Sequence, residues 1–187
     1  MLSGLSMKTK AILLIATNVV TFLFLMFYST NGLKNSISMF DSIRSNSIKE
    51  IILVNHIKYN IVQVQQWLTD ISATRGAEGY DDGFAEAKAH SEEFLRLANE
   101  LETILKLSNK QELLSNLHSV ISNFSNFYRE GKAMAQVYID KGPDDGNRVM
   151  SSFDATAEKM IIAMEELEKN ANTLFENDID FFCYKYE

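Results

Sequence analysis

The chain has 187 residues, a net charge of −7, one proline and one cysteine. This composition is typical of an all-helical protein, and the lone Cys183 excludes an internal disulfide framework, a cysteine-rich metal site and a covalently attached haem. All acidic residues lie after residue 30 and no basic patch offsets them, so binding to nucleic acid is not expected.

The first element is an uncharged apolar run over residues 11–28. A helix of this length reaches across most of a hydrocarbon core of about 30 Å, so we predict a transmembrane helix over residues 11–30. A cleaved signal peptide is the alternative, but its apolar region would be shorter and would end in small residues. Lys8 and Lys10 precede the run, which predicts a cytoplasmic N-terminus at residues 1–10 and a periplasmic location for the rest.

Residues 31–75 are predicted to form the first helix beyond the membrane, continuous with the span because no helix breaker follows Gly32. Its apolar residues alternate in steps of three and four, which is the pattern of a helix packed in a bundle. They are Val54, Ile57, Ile61, Val64, Leu68 and Ile71. The helix ends in a loop rich in glycine and acidic residues, 76–83.

Three further helices follow with the same spacing. The second begins after Asp81 or Asp82, either of which could cap it, and ends near Leu107. The third ends at Lys141, and the fourth begins at Pro143, a residue suited to a first helical turn. Their apolar positions are Phe84, Ala87, Ser91, Phe94, Ala98, Leu101 and Leu105; then Leu113, Leu117, Val120, Phe124, Phe127, Gly131, Met134 and Tyr138; then Met150, Phe153, Ala157, Met160, Met164, Leu167, Ala171 and Leu174.

Four such helices joined by short loops predict an all-α fold, an up-down-up-down antiparallel four-helix bundle over residues 31–182. In that topology the first and third long helices end at the same, membrane-distal tip. Residues 75–83 should therefore lie beside residues 140–148.

Three stretches, QVQQWLTDISATRG, GYDDGFAEA and YIDKGPDDGNRVMSSFD, together resemble the sensor region of bacterial methyl-accepting chemotaxis proteins. The resemblance covers essentially the whole chain. It implies a receptor of the inner membrane, without enzymatic activity, whose periplasmic bundle binds a small molecule and forms a homodimer. It also implies that the fourth bundle helix shifts against the first to carry the signal.

The resemblance ends early, because a complete receptor continues into a second span, a HAMP relay and a methylated cytoplasmic hairpin. None of these follows in this sequence, so residues 183–187 are expected to be a truncated tail. The same bundle also occurs in the sensor regions of histidine kinases and diguanylate cyclases. A haem- or metal-carrying bundle is a further alternative, although CxxCH and the Glu-x-x-His pairs of di-iron bundles are missing.

Two groups of residues are candidate ligand-binding sites. At the distal tip, Arg75 and Arg148 could clamp a carboxylate, although their placement also fits simple complementarity with helix dipoles. On the first helix, Gln63, Trp67, Asp70 and Thr74 form a second stripe beside the apolar one.

This second stripe, which begins at Asn60, could line a pocket between helices or a dimer interface. It could equally be a half-buried tryptophan among solvated polar groups. A monomeric bundle would leave the stripe exposed, which motivates the prediction of a parallel homodimer. His56, His90 and His118 are too scattered for a three-ligand site, so neither a metal nor a cofactor is expected.

Overall fold

The computed structural model describes residues 6–42 and 46–186 of the chain, and every regular element in these two ranges is a helix. The prediction of an all-α protein is confirmed. In chain order the helices are α1 (Met7–Ser42), α2 (Ile48–Thr74), α3 (Gly83–Leu107), α4 (Gln111–Lys141) and α5 (Pro143–Tyr186).

Helix α1 contains the predicted span and is long and apolar enough to cross a membrane. Its large apolar side chains, among them Leu14, Phe24 and Phe27, are exposed along its whole length. An exposed apolar surface of this extent requires lipid or protein to cover it. The helix runs on without a break past the predicted end of the span to Ser42. Whether it continues into α2 depends on residues 43–45, which lie outside the described residues.

Helices α2 to α5 enclose one apolar core. Helix α2 packs against α3, α4 and α5, while α4 also packs against both α3 and α5. The apolar positions predicted from spacing are confirmed, since all of them are buried except Phe84, Met150 and Leu174, which pack partly buried at the edges of the core. Burying such side chains is the main favourable term in folding, at about 25 cal/mol per Å² of apolar surface.

Aromatic rings join three of the helices at the centre of this core. Phe94 of α3 stacks on Phe124 of α4, with ring centroids 3.8 Å apart, and Phe127 of α4 stacks on Phe153 of α5 at 5.2 Å. Gly131 gives room for this packing, because a Cβ there would lie 2.7 Å from both Leu68 and Phe153. Large rings on α3, α4 and α5 therefore fix how these helices approach one another.

The connections between the helices are short, and their ends match the sequence signals with one exception. Gly142 has φ +85° and separates α4 from α5, which begins at Pro143 as predicted. Asp82 directly precedes α3 but makes no side-chain capping hydrogen bond, so the prediction that it caps this helix is wrong. Asp82 instead lines a surface cleft.

A buried polar network ties together the start of α2, the α3–α4 connection and the end of α5. Glu50 is only 2 % exposed, and one of its carboxylate oxygens accepts a hydrogen bond from Lys110 Nζ at 2.7 Å. Lys110 also lies 3.7 Å from Asp178, which accepts a hydrogen bond from Ser47 at 2.5 Å. Spacing alone gave no sign of this network, because Glu50 and Lys110 are sixty residues apart.

Candidate functional site

The candidate site lies where α2 ends and α3 begins. Arg75 terminates α2 in the left-handed conformation, at φ 52°, and its backbone N–H donates to the Ile71 carbonyl at 2.7 Å. Gly76 and Gly79 follow with φ values of 64° and 84°, a region that glycine enters without a steric penalty. The glycines of this loop thus turn the chain sharply at the tip of α2.

Gly83 sets how closely the two helices approach. A Cβ at this position would lie 2.7 Å from Ile71 Cγ1 and 3.1 Å from the Trp67 carbonyl oxygen. Only glycine fits without moving α2, because the neighbouring atoms belong to a buried side chain and to the backbone. The first turn of α3 is therefore pressed against the Trp67 turn of α2.

Above this contact is a cleft of about 160 Å³, which we call the α2–α3 cleft. Its walls contain two aromatic residues, two carboxylates, a hydroxyl and a small apolar floor. The lining residues are Trp67, Asp70, Ile71, Ala73, Thr74, Tyr80, Asp82 and Gly83. Three of the four second-stripe candidates, Trp67, Asp70 and Thr74, are brought together here.

Thr74 helps to hold the loop over the cleft. Its hydroxyl lies 3.2 Å from the Asp70 carbonyl oxygen and 3.4 Å from the Tyr80 carbonyl oxygen. The Tyr80 backbone N–H donates to the Ala77 carbonyl at 2.8 Å, which closes a turn. Tyr80 was not singled out from the sequence, and the available signal was an aromatic residue between Gly79 and Asp81 in an otherwise polar loop.

Trp67 carries an unsatisfied polar group. Its ring is half-buried, and its indole N–H is fully buried without a hydrogen-bond partner in the described part of the chain. The great majority of buried donors in folded proteins are paired, so an unpaired one in a residue that also lines a cleft is unusual and needs an acceptor that the described part of the chain does not supply.

The cleft is electrostatically one-sided. Asp70 and Asp82 are its charged lining residues, and neither forms a hydrogen bond or an ion pair through its carboxylate within the described ranges. No lysine, arginine or histidine lines it. The two carboxylates therefore give the cleft a negative potential that nothing within it neutralises.

The other predicted site residues lie outside this cleft. Gln63 faces Gln66 on the same helix, at 3.5 Å between their amide groups. Arg75 places Nη1 next to Gly142, where a Cβ would be 3.5 Å away, and Arg148 pairs with Asp145 on its own helix at 2.9 Å. Both arginines thus sit at the end where α4 meets α5, and the carboxylate clamp stays a prediction.

The sequence suggested that a monomer exposes the second stripe of α2, and in the structure this stripe is partly covered. Asn60 is only 5 % exposed, donates to the His56 carbonyl at 2.8 Å and lies 2.8 Å from His90 Nδ1 on α3. With Trp67 packed against the start of α3, the stripe faces α3 for much of its length. Asn60 is thus held against α3, whereas Asp70 is exposed and Gln63, Trp67 and Thr74 are half-buried, so the stripe is only partly covered and its role in a dimer stays a prediction.

His118 also has a partner on a neighbouring helix. His118 Nε2 lies 2.7 Å from Glu102 across the α3–α4 interface. Within residues 6–42 and 46–186, no three His, Cys, Asp or Glu side chains are grouped as metal ligands would be.

The chain matches no protein-family model, no curated protein and no solved structure. The function of the chain is therefore inferred from its own geometry.

Proposed function

We propose that this chain is a membrane-anchored sensor of a small molecule, with α1 as its membrane anchor and the α2–α3 cleft as its binding site. The observation that carries the proposal is the placement of these two features. The 27 residues of α2 span about 40 Å, and they separate the apolar helix at one end from the cleft at the other. An anchor and a ligand cleft at opposite ends of a rigid helical domain is the layout of a transmembrane receptor.

We further propose that α2 to α5 form an up-down-up-down antiparallel bundle. At one end Ser47 bonds to Asp178, and Glu50 bonds to Lys110. At the other end Ile139 lies 3.5 Å from where a Gly76 Cβ would be. These contacts support a bundle in which α2 and α4 end at the tip while α5 returns to the level of α1.

Periplasmic placement of this bundle in a bacterial inner membrane is part of the proposal. It is supported by Lys8 and Lys10, which lie just before the apolar run of α1, where the positive-inside rule expects cytoplasmic charge. The resemblance to chemotaxis receptors favours a receptor of that class, and sensor regions of kinases or cyclases would share the layout.

A parallel homodimer is supported by a different face of α2 from the one the sequence suggested. Ile48, Ile52, Tyr59 and Val62 are exposed along one stripe of α2 at steps of four, seven and three residues, and no charged residue interrupts them at this heptad spacing, while Tyr59 also contacts the His90 ring of α3 edge to face. In a parallel two-fold interface each residue meets its own copy, so an uncharged stripe is suited to it. The common direction of α1 in the membrane would hold two copies parallel.

The test of the sensor proposal is a thermal-shift screen of the full chain in mild detergent against amino acids, organic acids and amines. A ligand that binds only the folded state raises the melting temperature, by an amount that grows with its concentration. We expect one chemical class to do so. A screen in which no class shifts the midpoint would contradict a sensory role.

A further inference from the structure

The acids of the α2–α3 cleft are the first indication of what it binds. Asp70 lies near the end of α2 and Asp82 directly before α3, so two exposed acidic residues line the cleft from different elements. Neither is used inside the protein, since Asp82 makes no cap and Asp70 pairs with no cation in the described ranges. Two unpaired carboxylates bordering one small cleft favour a bound cation.

The neighbouring charges strengthen this preference. Arg75 follows directly after the end of α2, but its guanidinium lies next to Gly142 and does not line the cleft. The carbonyl end of α2 borders the cleft and adds partial negative charge. The amino end of α3 borders it as well, but Asp82 and the first-turn Glu86 oppose its positive dipole. A carboxylate ligand would meet repulsion here.

The aromatic walls narrow the class of cation. Trp67 and Tyr80 both line the cleft, and aromatic faces attract organic ammonium groups through their ring quadrupoles. A metal ion would instead require several oxygen ligands at short range, and no such group of side chains occurs in the described ranges. Carboxylates combined with aromatic rings suit an ammonium group attached to carbon.

The volume of the cleft and the indole group of Trp67 restrict the ligand further. The cleft volume of about 160 Å³ is small for a ligand site, which suits a small molecule. The indole N–H of Trp67, a residue of the cleft wall, has no hydrogen-bond partner in the described ranges, and a ligand oxygen that reaches it would accept a hydrogen bond from it. We propose that the α2–α3 cleft binds a small organic ammonium ion that also carries an oxygen acceptor, a specificity that rests on the proposed sensor function.

Ethanolamine is the probe, because it combines one ammonium group with one hydroxyl. Titration of the full chain in detergent can be followed by the fluorescence of Trp67, the single tryptophan of the chain, and by calorimetry. A ligand with so few non-hydrogen atoms binds with a dissociation constant no better than tens of micromolar, so the titration extends to about 50 mM. Acetate at the same ionic strength is the control ligand.

The variants are Asp70→Asn and Asp82→Asn, with Asp81→Asn as the matched control. Asp81 lies in the same loop and carries the same charge but does not line the cleft. We expect either cleft variant to weaken ethanolamine binding about tenfold or more, and Asp81→Asn to leave it within about twofold. Circular dichroism of each variant checks that it folds.

Three results would overturn the assignment. The first is that ethanolamine does not bind over this range. The second is that all three substitutions change ethanolamine affinity equally, and the third is that Trp67 fluorescence responds to acetate and not to ethanolamine. If acetate binds, or if the thermal-shift screen finds a ligand of another chemical class, the ammonium specificity is rejected but the sensor proposal is not. Ethanolamine binding at the cleft in a chain whose bundle lies in the cytoplasm would have the opposite meaning, because it would confirm the specificity and reject the periplasmic sensor.

Discussion

The buried ion pair between Glu50 and Lys110 gives a prediction about how the helices hold together. The Glu50 side chain is 3 % exposed and that of Lys110 18 %, with 2.7 Å between their charged atoms. The second carboxylate oxygen of Glu50 has no partner, so Lys110 alone neutralises this buried charge. Removing one member of a buried pair costs about 3–5 kcal/mol, because the other charge is left without compensation.

We therefore expect Lys110→Met to lower the free energy of unfolding by about 3–5 kcal/mol, which for a chain of this size is a loss of about 6–20 °C in melting temperature. Replacing both partners, in Glu50→Leu with Lys110→Met, should recover most of the loss, since a hydrophobic pair of similar volume carries no desolvation penalty. The measurement is thermal unfolding of the full chain in detergent, followed by far-ultraviolet circular dichroism, with all four members of the double-mutant cycle.

The matched control is Lys106→Met, which removes an exposed ion pair to Glu102 four residues earlier on the same helix. Exposed pairs contribute at most about 1 kcal/mol, so this variant should melt close to the parent. If Lys110→Met cost no more than Lys106→Met, or if the double variant were as unstable as the single, the buried-charge reasoning would be refuted.

Two further changes test the packing and the surface charges. Phe94→Ala should destabilise the fold by about 3–5 kcal/mol, because this fully buried ring stacks on Phe124. Leu95→Ala, at the exposed next position, should cost about 0.5 kcal/mol or less. Equal losses of the two variants in denaturant unfolding would contradict the assigned core. The hydrogen bond from Lys106 lowers the pKa of Glu102 below its ordinary 4.5, so its stabilisation is complete above pH 4.5 and is lost as the pH falls through the lower, folded-state pKa. The melting temperature of Lys106→Gln should therefore fall less steeply with acidification below about pH 4.5 than that of the parent, and superimposable acid profiles would argue against this.

The apolar faces could be predicted from the sequence because helical spacing alone determines them. Val64, Leu68 and Ile71 repeat in steps of three and four, and each is buried in the core. Gly142 and Pro143 marked the α4–α5 junction because glycine readily adopts the positive φ found there and proline cannot continue the hydrogen bonds of α4. These features depend on residues close together in the sequence, so a single sequence is enough to predict them.

The polar features could not be predicted, because they depend on partners from distant parts of the chain. Asn60 is buried because His90 meets it from α3, and Glu50 is buried because Lys110 reaches it from the α3–α4 connection. The sequence brought Trp67, Asp70 and Thr74 together through their shared helix face, but an aromatic residue in a polar loop did not by itself place Tyr80 beside them. That residue joins the cleft only because the loop folds back over α2.

The central claim, that α1 holds a ligand-binding domain outside the cytoplasm, is tested most directly by labelling with a membrane-impermeant maleimide in intact bacterial spheroplasts. The exposed native Cys183 is first replaced in Cys183→Ser, and single cysteines are then placed by Glu78→Cys in the loop at the cleft and by Ser6→Cys before the apolar run. The account predicts that Glu78→Cys is labelled in intact spheroplasts and that Ser6→Cys is labelled only after lysis. Labelling of Ser6→Cys but not Glu78→Cys in intact spheroplasts would contradict it.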